Sequence, residues 1–178
     1  MLSPQSLSET DRRVVAAWAA DCAERVLPCF ERVAPDDDRP REAIARAQAY
    51  ARGDLDSAGE IRRRFVAGRA AASVASDAVA IAAARSAAQA SGVAHMGAHA
   101  LGAAAYAVKA VSLDRPGDVE VELDWQMQQM TPDVRSALRR LPPVGEDSAG
   151  PLVAGGLLAR GILGSTIREL QARIAEAA

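Results

Sequence analysis

The sequence predicts an all-α protein, a compact bundle of about six helices with a C-terminal helical tail. Hydrophobic residues make up 49% of the chain but aromatic residues only 3%. Much of the apolar content is alanine, which favours helices and suits strands poorly. Apolar side chains also recur every three or four residues in most segments, as one face of a helix requires. At 178 residues, the chain is long enough for one domain with a sizeable core.

The first helix is predicted from about Glu9 to Val33. Ser8 followed by Asp11 resembles the capping box that opens a helix. Pro28 should kink this helix or shorten its last turns, because proline lacks the N–H that the helix needs. The apolar face has helical spacing and consists of Val14, Val15, Trp18, Cys22, Val26, Cys29 and Phe30.

A second helix is predicted over residues 39–52, after the loop that begins at Pro35. Asp38 is a suitable N-cap, and Pro40 falls in the first turn, where its missing N–H costs nothing. Gly53 is a typical glycine at the C-terminal end of a helix.

A long Ala-rich antiparallel helix pair is predicted in the middle of the chain. The third helix should start after Asp56 and run to residue 91, with a bend near Gly68. The fourth should cover about residues 93–113. The Ser91-Gly92 pair between them is typical of a tight turn.

Two shorter helices are predicted next. The segment VEVEL at 119–123 alternates like a strand. However, Leu123, Met127 and Met130 continue a helical face from this segment, and no partner strand is visible elsewhere, so we predict a fifth helix. Thr131-Pro132-Asp133 is a strong start signal for a sixth helix.

The composition changes after residue 141, so the sequence predicts a helical domain over 1–141 and a linker with a helical tail over 142–178. The linker begins PPVGEDSAGP. Thr166 and Glu169 form a T-x-x-E capping box, which predicts the start of a short amphipathic helix. Two roles for the tail stay open. It packs back on the domain, or it joins a second copy of the chain in a homodimer.

Charge and cysteine content argue against several classes of protein. A net charge of −2 gives no strong attraction to nucleic acid or to an anionic membrane. The uncharged run 86–108 is long enough to span a bilayer, but alanine is nearly neutral for insertion and Gln89 disfavours it. Cys22 and Cys29 would lie about 10 Å apart on a helix at ~1.5 Å per residue, too far for a disulfide. The sequence MLSPQSLSETDRR lacks the features of a signal peptide. We therefore expect a cytoplasmic protein with reduced thiols.

The only two histidines of the chain, His95 and His99, are the strongest candidates for a functional site. At 100° per residue, they share an arc of roughly 80° on the predicted fourth helix with Gly102, Tyr106 and Lys109. Gly102 removes a side chain from the middle of this polar stripe, which leaves room for a ligand or a close neighbour.

Three interpretations of the stripe stay open. It is the outward face of an amphipathic helix. Alternatively, it lines a ligand pocket, in which His95 or His99 acts as acid or base while Tyr106 and Lys109 position or protonate an anionic group. In the third interpretation, the H-x-x-x-H pair binds zinc or iron.

A metal site would need a third ligand from another helix. The candidates are Asp21, Cys22, Glu24 and Asp77. Asp77 is also the only charge between Ala70 and Ala84, and the antiparallel pairing should bring it close to Lys109. The sequence therefore predicts a buried Asp77–Lys109 ion pair, whose simplest role is structural.

Four stretches of the chain resemble the bacterial family of immunity-protein-five-like domains, which is common in actinobacteria. They lie in order within about residues 9–141 and read WAADCAERVLPCFE (18–31), DDRPREAIARAQAYARG (37–53), AHMGAHALGAAAYAVKA (94–110) and DWQMQQMTPDVR (124–135). The resemblance implies an all-helical domain that neutralises a toxin, and it brings no catalytic residues with it. Relatives often carry a histidine near the position of Gly68, and its absence here weakens the case for a shared metal site.

Two classes of function therefore remain for this chain. The favoured one is an immunity-type interaction protein that binds and neutralises a protein toxin without catalysis. DDDR at 36–39 and the acidic face of the fifth helix are its candidate contact surfaces. The alternative is a small helical enzyme, or a protein that binds a small molecule or a metal. It would use His95, His99, Tyr106, Lys109 and Asp77.

Overall fold

Nine α-helices make up most of the chain that the computed structural model describes, namely residues 3–63 and 65–176, with the backbone alone for 61–63 and 65–67. The helices are α1 (Glu9–Glu31), α2 (Arg39–Arg52), α3 (Ser57–Arg63), α4 (Phe65–Ser73), α5 (Ala78–Gly92), α6 (His99–Asp114), α7 (Val119–Gln128), α8 (Pro132–Leu138) and α9 (Gly161–Glu176). Short 3-10 turns cover Pro4–Ser6, Pro116–Asp118 and Leu157–Ala159. Apart from one isolated bridge between Asp147 and Val153, these residues form no strand pairing. The predicted all-α class is confirmed.

Helix α6 lies at the centre of the core and packs against α5, α1 and α9. Its residues 100–108 are all buried, and most of them are alanine or glycine. Such small side chains let the neighbouring helices approach closely. The Ser86 hydroxyl of α5 donates to the Ala103 carbonyl of α6 at 2.8 Å. The Ala-rich antiparallel pair is thus confirmed, although each of its helices is shorter than predicted.

Helix α1 starts where its cap predicts. The Ser8 hydroxyl accepts from the Asp11 N–H at 3.1 Å and donates to the Asp11 carboxylate at 2.8 Å. The helix continues through Pro28 and ends three residues later. Cys22 and Cys29 lie on its buried side and are free thiols, as expected.

Helix α2 has the predicted bounds. Gly53 ends it with a φ of 89°, the left-handed conformation that glycine adopts without strain. Pro40 lies in the first turn, as predicted. Asp38 occupies the N-cap position, but its side chain makes no capping hydrogen bond, so that detail was wrong.

The prediction of one continuous third helix was wrong, because three helices, α3, α4 and α5, replace it. The backbone leaves the helix at residues 74–76, and Asp77 then starts α5 by accepting from the Ala80 N–H at 2.8 Å. Gly68, the predicted bend, lies within α4. An aspartate N-cap is a recognisable start signal, yet the uninterrupted run of small helix formers around it hid the break.

The C-terminal residues pack back on the domain. Helix α9 lies against α6, α7 and α8, and its apolar side chains belong to the main core; they are Leu163, Ile167, Leu170 and Ile174. The predicted start at Thr166 is wrong, because α9 begins at Gly161 and Thr166 is buried within it. The tail therefore packs back on the domain, which is one of the two roles that the sequence left open.

Gln5 joins the N-terminal turn to the loop before α9. This side chain is fully buried. Its Nε2 donates to Asp147 Oδ2 at 2.8 Å and to the Ala149 carbonyl at 2.6 Å, and its Oε1 accepts from the Leu152 N–H at 2.9 Å. A Cβ at Gly150 would lie 2.7 Å from Gln5 Oε1, so only glycine allows this approach. The loop is thereby held beside the turn that joins α5 to α6.

Among the described helices, none combines the length and the apolar character that a bilayer span requires.

Candidate functional site

His95 lies in a turn before α6 and not on the predicted fourth helix. Residues 93–98 are non-helical because the N-terminal segment takes backbone hydrogen bonds that a helix would make itself. The Gly97 N–H donates to the Ser6 carbonyl at 3.1 Å, and the Ala98 N–H donates to the Gln5 carbonyl at 3.0 Å. The prediction that His95 shares one face of a helix with His99, Tyr106 and Lys109 was therefore wrong. His95 is exposed.

His99 is the first residue of α6 and is half-buried. Its Nδ1 lies 2.8 Å from Gln89 Oε1. A carbonyl oxygen can only accept, so Nδ1 carries the proton in this pair. The ring lies against the end of α5, where a Cβ at Gly92 would stand 2.9 Å from its Cγ. Gly102 plays a similar role on α6, because a Cβ there would lie 2.9 Å from Gln89 Cδ.

Tyr106 is buried two turns after His99, and its polar neighbour is Arg85 of α5. Burial raises the pKa of the Tyr106 hydroxyl, and the charge of Arg85 and a hydrogen bond with it partly offset that rise. The phenol is therefore neutral at physiological pH. Its hydroxyl can accept from the guanidinium and hold Arg85 in place.

Lys109 and Asp77 lie apart from this group. Lys109 is half-buried one turn after Tyr106, and the Asp77 carboxylate caps α5. No ion pair joins them within the described residues, so the predicted Asp77–Lys109 pair was wrong. The physical reason is the break in the third helix, which uses Asp77 as a cap.

Both histidines line one open cleft of about 550 Å³ between α5, the 93–98 turn and the loop near Gly150. The remaining lining residues are Gly68, Arg85, Ala88, Gln89, Gly92, Met96 and Pro151. None of these described lining residues is an aspartate or a glutamate. The described lining residues therefore include one arginine, two histidines and one glutamine.

Arg85 and Gln89 were missed by reasoning from the sequence. A signal was present, because Arg85, Gln89 and Gly92 are spaced at i, i+4 and i+7 and so share one face of α5. Arg85 and Gln89 are the two long polar side chains of α5, whose other residues are mostly alanine. Tyr106 and Lys109, in contrast, do not line the cleft.

The described residues hold no group of three or more His, Cys, Asp or Glu side chains that could bind a metal ion. The proposed third ligands have other environments. Burial raises the pKa of the Cys22 thiol well above its usual value, and Asp21 and Glu24 line another surface pocket together with Arg25. A shared zinc or iron site at His95 and His99 therefore lacks a third ligand among these residues.

The acidic residues of α7 are engaged within the chain. Glu122 is buried and accepts from Arg25 Nε at 2.5 Å. Glu120 and Asp124 both pair with Arg173 of α9. These contacts neutralise much of the acidic face that the sequence offered as a contact surface.

The acidic segment before α2 is also partly engaged. Asp37 accepts two hydrogen bonds from the Arg39 side chain, at 2.7 and 2.5 Å, and these lower its pKa to about 2. Asp36 and Asp38 remain exposed.

The comparisons with known proteins give one match. A family model described as "Imm-5 like putative immunity protein" matches residues 5–133. The match spans Gln5, α1 to α7 and the side chains of the cleft from Gly68 to His99, and it ends before Gly150 and Pro151. No curated protein and no solved structure matches the chain.

Proposed function

The chain belongs to the Imm-5 like immunity-protein family, and from this premise we propose that it binds a protein toxin and blocks it without catalysis. The observation that carries the proposal is the extent of the family match, which includes most of the helical core and both histidines of the cleft. The proposal places the protein in the bacterial cytoplasm, where a cell would need protection.

The cleft and its surroundings are the surface that we propose for toxin binding. Arg85 and His95 are exposed there, and polar groups beside a concave surface give specificity to protein interfaces. Leu158 packs at Gly102, one turn of α6 from His99. The neighbouring Leu157 is 59% exposed and supplies a large apolar side chain near the same region. Arginine is enriched among the residues that contribute most to protein interfaces, and the exposed leucine adds apolar area beside it.

The test begins with the genes next to this one, among which the proposal expects a gene for the toxin. Both proteins are purified, and toxin activity is measured while this protein is added in increasing amounts. A blocking partner should remove the activity at about one equivalent, because each toxin molecule is occupied by one inhibitor. Toxin activity that persists at a tenfold excess would refute the proposal.

A second candidate is a small-molecule binding protein or an enzyme that uses the cleft. The observation in its favour is that the only two histidines of the chain line one cavity together with Arg85. The same titration separates the two candidates. An enzyme that destroys the toxin or its product would protect at far less than one equivalent.

The homodimer predicted through the C-terminal helix stays a prediction. The apolar side chains of α9 are buried against the chain's own core. A dimer would therefore use the exposed, polar side of α9, and size measurement in solution tests this.

A further inference from the structure

We infer that the cleft between α5 and the 93–98 turn is a carboxylate-binding site, with Arg85 as its anchor. The inference deepens the proposed function and rests on it in one respect, because the source of the carboxylate is then an aspartate or glutamate side chain of the toxin.

The charge of the cleft selects for an anion. Among the lining residues that the structure describes, Arg85, His95 and His99 are ionisable and none is acidic. Many of the described arginines pair with a carboxylate of this chain, such as Arg25 with Glu122. Arg85 meets the neutral hydroxyl of Tyr106 instead. Its charge is therefore not neutralised within the described chain and is available to a ligand.

Arg85 has one polar neighbour in the core, because burial raises the pKa of Tyr106 while the charge of Arg85 and a hydrogen bond with it lower that pKa. The Tyr106 hydroxyl is buried, so it is a fixed polar group beneath an otherwise exposed arginine. A guanidinium has five N–H donors, and a contact with one phenol leaves enough of them for a bidentate pair with a carboxylate. Tyr106 is thus a positioning residue. This explains why a tyrosine that does not line the cleft is part of the site.

A carboxylate fits the cleft better than a phosphate group does. Each carboxylate group carries one charge, which the guanidinium of Arg85 can meet in a bidentate pair, and the His95 imidazole and the Gln89 amide can add hydrogen bonds. A phosphate carries about −1.5 to −2 charges at neutral pH, and recognising it takes several cations. The cleft is also open, with a volume of about 550 Å³, so a side chain from a partner can enter it.

The two histidines make a direct test practical. They are the only histidines in the chain and both line the cleft, so their ring signals in a ¹H–¹³C NMR spectrum report on this site alone. Glutarate, inorganic phosphate and methylammonium are each added to the full chain at constant ionic strength. We expect a saturable shift of at least one histidine signal with glutarate, with half-saturation on the order of millimolar for so small a ligand. Phosphate should give a weaker shift, and methylammonium none.

Two variants locate the site. Arg85→Gln should weaken glutarate binding about tenfold, the loss of one charge-assisted pair. Arg85 is exposed, so this variant should fold normally. Arg139→Gln is the matched control, because Arg139 is also exposed but lies at the end of α8, outside the cleft. A histidine response that is absent, or equal in Arg85→Gln and the wild type, would overturn the inference.

The affinity of each variant for the toxin then identifies the source of the carboxylate. If Arg85→Gln also binds the toxin about tenfold more weakly while Arg139→Gln binds it as the wild type does, the toxin supplies it. If Arg85→Gln binds the toxin as tightly as the wild type, the toxin's acidic side chain is excluded as the ligand, although the proposed function stands. If the wild type binds glutarate but does not neutralise the toxin, the proposed function fails and the carboxylate site remains.

Discussion

Gly97→Ala distinguishes the observed turn from the helix that the sequence predicts. In a continuous helix over residues 93–113, this substitution would stabilise the protein by about 0.5–1 kcal/mol, because alanine is the better helix former. In the structure, Gly97 instead lies under the Leu7 side chain. A Cβ at position 97 would stand 2.6 Å from Leu7 Cγ and 3.0 Å from Leu7 Cβ.

These distances set the size of the effect. A clash with the branch carbon and Cβ of Leu7 is not relieved by rotating the end of the side chain, so Leu7 must leave its place. Overpacking of this kind costs about 1–3 kcal/mol. The loss of glycine flexibility in the unfolded chain offsets about 0.4–1 kcal/mol. We expect a net destabilisation of about 1–2 kcal/mol, which lowers Tm by about 2–8 °C for a chain of this length.

Thermal unfolding followed by circular dichroism measures the change, with Gly68→Ala as the matched control. Gly68 lies within α4, and a Cβ there would meet nothing within 4 Å. This control should stabilise the protein by about 0.5–1 kcal/mol. If Gly97→Ala raises Tm as the control does, the described turn and its contact with Leu7 are refuted.

Three further predictions concern stability and thiol reactivity. Gln5→Ala removes three hydrogen bonds of a fully buried side chain, so urea denaturation should show a loss of about 2–3 kcal/mol; a loss below about 0.5 kcal/mol would contradict the described network. Hydrogen bonds from Arg39 lower the folded pKa of Asp37 to about 2, below its unfolded value, so stability from this pair is present above about pH 4 and is lost as the pH falls towards 2. Asp37→Asn should lack this loss of stability at low pH and should lower the free energy of unfolding at neutral pH by about 1 kcal/mol, after allowing for solvent screening. Urea denaturation between pH 2 and 7 measures both effects, and the same pH dependence in the variant and the wild type would contradict the assignment. Burial raises the pKa of both Cys22 and Cys29, so iodoacetamide at pH 8 should alkylate neither thiol until urea unfolds the chain; mass spectrometry of the native protein would reveal any early reaction.

The predicted and observed site differ because two contacts between distant parts of the chain are invisible in the sequence. The stretch that holds His95 and Gly97 has no proline, and its residue types are compatible with a helix. The turn forms because carbonyls of Gln5 and Ser6 accept the N–H groups of Ala98 and Gly97. Sequence reasoning therefore found both histidines but gave them the wrong geometry.

The sequence by itself determined the helical class and the helices whose ends carry their own signals. Ser8 starts α1, Gly53 ends α2 and Thr131 starts α8, because each cap satisfies backbone groups within a few residues of itself. It also identified the family through stretches that the family model matches.

Only the tertiary structure decided where the cleft lies and what lines it. Arg85 and His95 are ten residues apart, yet they meet at one cavity because a turn, an antiparallel helix pair and a distant loop converge there. The loop is held by Gln5, more than 140 residues away in sequence. Contacts over such separations depend on how the helices pack, which local patterns of residues do not encode.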